Sequence, residues 1–226
     1  MPRSGRSPDR RRPDRPAGGD PGQSPASPPR IIGGDLRGRR LAFVPDGPTR
    51  PMKDRVRELL FDLIGTDVRG SVALDLFAGT GALGFEAVSR GAAAVVFCER
   101  HFPTAATLRR SAAELNVTAR TDVRTGDVLL WARRMPALPT AAPWLVFISP
   151  PWEMFAETHE RRADLLALVA AIMAAAPAAS TIVVEADVSF LPAALPEADR
   201  WETRPAPPAV LHLLRTDRRP QAGGSG

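Results

Sequence analysis

At 226 residues with 44% hydrophobic side chains, the chain is long enough to bury a full core in one domain, and it holds no apolar stretch near the ~18 residues of a membrane helix. Its formal net charge is +5, and its single cysteine, Cys98, excludes an internal disulfide and reads as core within an apolar run. His101, His159 and His212 are scattered without metal-ligand spacing, so no metal is expected. A polar, proline-rich N-terminus with no hydrophobic segment predicts no signal peptide, which makes the cytoplasm the expected location.

Residues 1–29 are dominated by Pro, Arg, Gly, Ser and Asp and cannot bury enough apolar surface to offset the entropy of ordering, so a disordered tail is expected. Its six arginines face three aspartates, a composition that suits a solvated tail or a weak RNA tether. The basic excess is denser in the next segment, 30–57. Arg30, Arg37, Arg39, Arg40, Arg50, Lys53, Arg55 and Arg57 stand there against Asp35, Asp46 and Asp54. Phosphate binding is the simplest use of such a cluster, and a solvated basic face is the plainer alternative. Residues 31–34 and 39–44, separated by a glycine-containing turn, are expected to pair as a hairpin. Residues 52–64 have the spacing of an amphipathic helix, on which Arg57 and Glu58 can equally be surface partners of their neighbours.

Val72, Ala73, Leu74, Leu76 and Phe77 then form a short apolar run that predicts a buried strand, and 82–90 has helical composition. Between them Gly79, Gly81 and Gly84 satisfy G-x-G-x-x-G, a pattern whose missing side chains allow a sharp turn and a close approach of ligand to backbone. Alone the pattern also fits a pyrophosphate seated on a helix N-terminus. Asp75, four residues before the first glycine, repels a pyrophosphate and suits the cationic amino-acid portion of S-adenosylmethionine. A second strand at 94–98 ends at Glu99, twenty residues past Gly79, where an acidic side chain accepts from ribose hydroxyls in this architecture. Phe77 and Asp127 complete the candidate cofactor set. Asp127 is placed either beside the adenine or as the N-cap of a helix starting at Val128.

The next apolar run, 144–148, leads into Ser149, Pro150, Pro151 and Trp152 at the carboxyl edge of a strand, the edge on which open α/β sheets bind ligands. Consecutive prolines fix the backbone and remove two amide donors, leaving carbonyl oxygens to accept from an amino group, and Trp152 can stack on a base. Ser149, Pro150 and Trp152 are therefore the candidate catalytic residues. A helix over 161–176 follows, then a strand over 181–184 ending at Glu185, which either approaches the site or lies on the surface. Residues 201–204 and 210–215 are expected to close the sheet as an antiparallel pair with Pro205, Pro207 and Pro208 in the turn. Alternating strands and helices across the middle predict a mostly parallel sheet covered on both faces. Residues 217–226 read as a flexible tail.

The segments RIIGGDLRGRRL at 30–41, RPMKDRVRELLF at 50–61, LDLFAGTGALGFEAVSRGA at 74–92 and SPPW at 149–152 resemble the successive signatures of the RsmD-type bacterial 16S ribosomal RNA guanine-N2 methyltransferases. The resemblance spans about residues 30–215. It implies a class I, Rossmann-like α/β methyltransferase domain over 30–216 with a basic RNA-binding extension, and S-adenosylmethionine as cofactor. It also implies one guanine of 16S ribosomal RNA in the small subunit as target; a monomeric or loosely associated protein with no membrane partner is expected. The chain departs from the family pattern at Ser149, where Asp or Asn is usual, at Trp152 for Tyr or Phe, at Met52 for Thr, at Arg100 and His101 after Glu99, and at Ser111 for Asn. The Ser-Pro-Pro-aromatic form is similar to that of DNA cytosine-N4 methyltransferases. Methylation of another exocyclic amine in DNA or RNA, or an inactive RNA-binding ribosome-assembly factor, therefore stays open.

Overall fold

The computed structural model describes residues 28–44 and 52–217. The expected tails, apart from residues 28, 29 and 217, and Arg50 of the basic set lie outside the described residues. Five parallel strands form the centre of one sheet: β1 (Val72–Asp75), β2 (Ala94–Glu99), β3 (Thr121–Thr125), β4 (Trp144–Ile148) and β5 (Thr181–Asp187). Two further strands, β6 (Glu202–Ala206) and β7 (Ala209–Arg215), complete it in the order β3-β2-β1-β4-β5-β7-β6, with β7 antiparallel to both its neighbours. The chain moves outward from β1 through β2 to β3 and then returns to build β4 and β5 on the other side of β1. Right-handed crossovers in opposite directions send their helices to opposite faces and open a crevice at the carboxyl ends of β1 and β4.

Strand β4 shows how the sequence divides the core. Leu145 and Phe147 join the layer beneath α1 (Asp54–Ile64), α2 (Ala82–Ser89) and α3 (Phe102–Glu114), where Leu60, Phe85 and Leu108 are fully buried. Trp144, Val146 and Ile148 point to the other face, against Leu165, Leu168 and Ile172 of α4 (Arg162–Ala175). Both sets are apolar, so β4 reads as an unbroken hydrophobic run with no polar alternation, as a strand covered on two faces must.

The 28–44 segment turns back on itself as expected, but with one bridge, Arg30 opposite Arg40, in place of a strand pair. Ile31 N–H donates to Arg39 O (2.9 Å) and Gly38 N–H to Ile31 O (2.8 Å). Three of its amides turn towards α2: Ile32 N–H donates to Glu86 Oε2 (2.8 Å), Asp35 N–H to Ser89 O (2.9 Å) and Leu36 N–H to Ser89 Oγ (2.9 Å). Leu41 N–H still crosses to Pro29 O (2.9 Å), but Ala42 N–H already turns to Ser111 Oγ of α3 (2.8 Å), so docking cuts the pairing short of a ladder.

Three sequence readings are corrected. Pro205 lies inside β6, leaving only Pro207 and Pro208 in the turn; β6 is the outermost strand, so the missing proline N–H breaks no ladder. The segment after Asp127 is a 3-10 turn, Val128–Ala132, rather than an α-helix. Arg57, counted among the phosphate ligands, is completely buried: it pairs with Glu86, also buried, and with Asp54, and donates to Arg30 O (2.6 Å). It offers no face to RNA. Its helix position turns inward, where the charge holds the N-terminal segment to α1 and α2.

Candidate active site

The β1 strand ends at Asp75, and the chain turns through Gly79 (φ 50°) and Gly81 (φ 76°), left-handed values that a side chain disfavours, to enter α2. At Gly84 the requirement is space: a Cβ there would stand 2.3 Å from the Phe97 ring of β2. The third glycine thus lets α2 lie against the sheet, and the first two shape the turn. Asp75 is buried beneath this turn, where one carboxylate oxygen accepts from Gly84 N–H (3.0 Å). Burial, and secondarily the charge of Glu99, push its pKa up to about 8 against the pull of that hydrogen bond.

Glu99, at the end of β2, accepts from Gly79 N–H (2.8 Å) with Oε2 and from His101 N–H (2.7 Å) with Oε1. Each carboxylate oxygen has a second lone pair, so the side chain fixes the glycine turn and keeps acceptors to spare. Asp127 satisfies its capping role: Oδ1 accepts from Leu129 N–H (3.0 Å), while Oδ2 holds Arg161 from the β4–α4 connection.

These groups border a cleft of about 720 Å³ at the carboxyl edge of the sheet. Of the cofactor candidates, Phe77, Gly79, Glu99 and Asp127 line it, whereas Asp75 and Gly81 sit behind its wall. All three catalytic candidates, Ser149, Pro150 and Trp152, line it as well. Trp152 begins a 3-10 turn, Trp152–Phe155, with Pro151 at its N-cap, so the proline pair sets the direction in which the indole leaves β4. The Ser149 hydroxyl donates to Glu185 Oε2 of β5. Glu185 is largely buried, and burial raises its pKa above the ordinary carboxylate range, opposed by the Ser149 hydrogen bond.

Motif reading missed Met52 and Val56, which close the cleft from the N-terminal side, and Pro208 and Ala209, which reach it from the β6–β7 turn. Met52 and Val56 come from the approach to α1 and its first turn, within the 50–61 signature, whereas no local pattern marks Pro208 and Ala209, which the sheet order carries there. Within the basic set, Lys53 lines the cleft. Arg30 pairs with Asp54 (3.1 Å) and Arg39 donates to Glu114 O. Arg37, Arg40, Lys53 and Arg55 are exposed and form no ion pair among the described residues. No group of metal-ligating side chains is present among the described residues, and no helix there is long and apolar enough to cross a membrane.

Five parallel strands continued by an antiparallel β7, with a glycine turn after β1 and an acidic residue ending β2, define a class I, Rossmann-like methyltransferase fold. The family model described as "Conserved hypothetical protein 95" matches residues 29–203, and the chain belongs to that family. The resemblance to the RsmD-type proteins read from the motifs is borne out by this match and by the named relatives. A "Putative rRNA methyltransferase YlbH" from Bacillus subtilis is 40% identical over 98 residues, covering 43% of this chain and 53% of that relative. "Ribosomal RNA small subunit methyltransferase D" from Escherichia coli is 54% identical over 71 residues, 31% of this chain and 35% of the relative. These matches span about half of the one curated relative and about a third of the other. The solved structure of "Putative methyltransferase yhhF" from Escherichia coli superimposes with a TM-score of 0.68 at 27% identity, covering 85% of this chain and 100% of that one.

Proposed function

We propose that this chain is an S-adenosylmethionine-dependent methyltransferase acting on the exocyclic N2 amine of a guanine in 16S ribosomal RNA of the small subunit. The observation that carries the reading is that Gly79, Glu99 and Asp127 open on the same cleft as Ser149, Pro150 and Trp152. S-adenosylmethionine supplies a methyl group on a positively charged sulfur. The residues fit it: the carboxylates of Glu99 and Asp127 line one end of the cleft with Asp75 behind the glycine turn, a pattern that repels a pyrophosphate and favours a cation with neutral hydroxyls. Glu99 accepts from the ribose, Asp127 borders the adenine, and Asp75, protonated in the free protein, ionises behind the glycine turn as the cationic amino-acid portion binds.

The target guanine leaves its stack to enter the cleft, where Trp152 stacks on it. Its N2 lone pair is delocalised into the ring, and hydrogen bonds from the N2 hydrogens to Ser149 Oγ and the Pro150 carbonyl orient the amine for in-line attack. The rate gain is then positioning and electrostatics, with no covalent intermediate on the protein. Ser149 in place of Asp or Asn favours, as a second reading, methylation of a different exocyclic amine in DNA or another RNA. Mapping methylated nucleotides in ribosomal RNA from cells with and without this gene separates the two. Loss of one N2-methylguanine in 16S RNA is expected, and an unchanged ribosomal map overturns the ribosomal assignment. In vitro, Trp152→Ala is expected to lower both RNA affinity and rate, each consistent with the loss of about 1 to 3 kcal/mol of stacking.

A further inference from the structure

Glu185 belongs to no motif, comes from a different strand than the Ser-Pro-Pro-Trp loop, and is nonetheless buried in the cleft with its carboxylate on the Ser149 hydroxyl. A serine hydroxyl has one proton and two lone pairs. With the proton committed to Glu185 Oε2, both lone pairs of Ser149 Oγ are left for donors in the cleft. The hydroxyl is thus polarised as an acceptor by a carboxylate one residue removed from the amine.

We propose that Glu185 is the positioning residue of the methyl-transfer site and the terminal proton acceptor, working through Ser149. The proposal rests on the methyltransferase reading given above. As the N2–CH3 bond forms, the S–CH3 bond breaks with its electron pair kept by sulfur, and the methylated nitrogen carries one proton too many. That proton passes to Ser149 Oγ while the Ser149 hydroxyl proton passes to Glu185 Oε2. The serine ends neutral, the carboxylate ends as a carboxylic acid, and the product amine is neutral. Glu185 then returns its proton to solvent as the products leave. A carboxyl raised by burial is a better acceptor than an exposed one. The chain thereby recovers, from β5, the carboxylate that is absent at position 149.

Other ionisable groups line the same cleft: Lys53 at the start of α1, Cys98 and Glu99 at the end of β2 with Arg100 and His101 after it, Asp127 after β3, and Glu153 and Arg161 on the β4–α4 connection. On β7 the residue paired with Glu185 is Leu211. Comparison of parent and Glu185→Gln cancels the titrations of these groups, since the amide still accepts from Ser149 but takes no proton. Two measurements test the relay. The first is single-turnover methyl transfer to 30S particles lacking the modification, followed against pH. The parent rate is expected to fall on acidification above the ordinary carboxylate range. Glu185→Gln should be about a hundredfold slower at neutral pH without that limb, with S-adenosylhomocysteine affinity unchanged. The second needs no turnover: carbon NMR of the side-chain carboxyls in the protein alone, where Ser149→Ala removes a hydrogen bond to the ionised form and should move the Glu185 titration upwards. Parent-like rates and pH profile in Glu185→Gln, or an unmoved titration in Ser149→Ala, overturn the relay while leaving the methyltransferase reading intact. A parent that transfers no methyl group to any nucleic acid overturns that reading and the relay with it.

Discussion

Asp75 carries a carboxyl under two opposed demands. Burial pushes it up to about 8 in the folded chain, against 3.8 for the free side chain. Between those values the folded protein holds a proton that the unfolded chain has lost, so this group makes stability fall as pH rises through that window. Asp75→Asn keeps an acceptor for Gly84 N–H and removes the titration. It is expected to unfold at higher urea concentration than the parent, by a margin that widens from about pH 5 to about pH 8. The same variant is expected to bind S-adenosylmethionine more weakly, because a nearby cation stabilises the ionised form alone. Binding to the parent below about pH 8 should therefore release a proton, detectable by calorimetry in buffers of different ionisation enthalpy. Binding without proton exchange, and undiminished in Asp75→Asn, would separate this residue from the ligand. Glu99→Ala is a sharper test of the ribose contact. It should cost about 1 to 3 kcal/mol of cofactor affinity through loss of charged-acceptor hydrogen bonds, read in the same calorimeter.

At the scale of elements, the strand–turn–helix unit from Val72 to Ser89 was legible in the sequence apart from its ends, β1 stopping at Asp75 short of Leu76 and Phe77, because the local signals agree. The apolar run, the left-handed glycines and the small residue at 84 each demand the same geometry. Gly84→Ala forces a methyl group against Phe97, and a loss of about 1 to 3 kcal/mol in chemical denaturation is expected, with α2 displaced from the glycine turn. The N-terminal segment was legible only in part. Its charges suggested a single solvent-facing purpose, yet Arg57 turns inward to Glu86 while Arg55, two residues earlier on the same helix, is exposed. Charge counts carry no direction; only the 3.6-residue period does, and Val56, Leu60, Phe61 and Ile64 set it so that position 57 falls on the buried side. Arg57→Ala leaves the buried Glu86 with one cationic partner fewer and should destabilise the fold by about 3 kcal/mol, whereas Arg55→Ala should stay within about 0.5 kcal/mol. Urea unfolding of both variants measures the contrast.

At the scale of the whole molecule, alternating strands and helices were enough to expect a parallel sheet, but not that β7 inserts between β5 and β6. That insertion delivers Pro208 and Ala209, which no motif marks, to the cleft, and the neighbouring β5 decides between the two readings of Glu185 by burying it there. The same distinction governs the RNA surface. Of the eight cations expected to hold phosphates, Arg57 is buried, Arg30 is paired with Asp54 and Arg39 is engaged with Glu114 O. Arg37, Arg40, Lys53 and Arg55 are exposed without an ion pair among the described residues, and Lys53 borders the cleft itself, so phosphates held here lie beside an entering base. Each phosphate neutralised releases condensed counterions, about 0.7 to 0.9 in the slope of log affinity against log salt. Replacing Arg37, Arg40 and Arg55 together by alanine is therefore expected to flatten that slope by about two to three, while S-adenosylmethionine affinity and the unfolding midpoint stay near the parent values, because none of the three side chains forms an ion pair among the described residues. The corresponding triple replacement of Arg30, Arg39 and Arg57 should do the reverse, lowering stability strongly while removing little of the salt dependence. An unaltered slope in the first variant would move the RNA surface away from the N-terminal segment, to the other exposed cation of the cleft wall, Arg100.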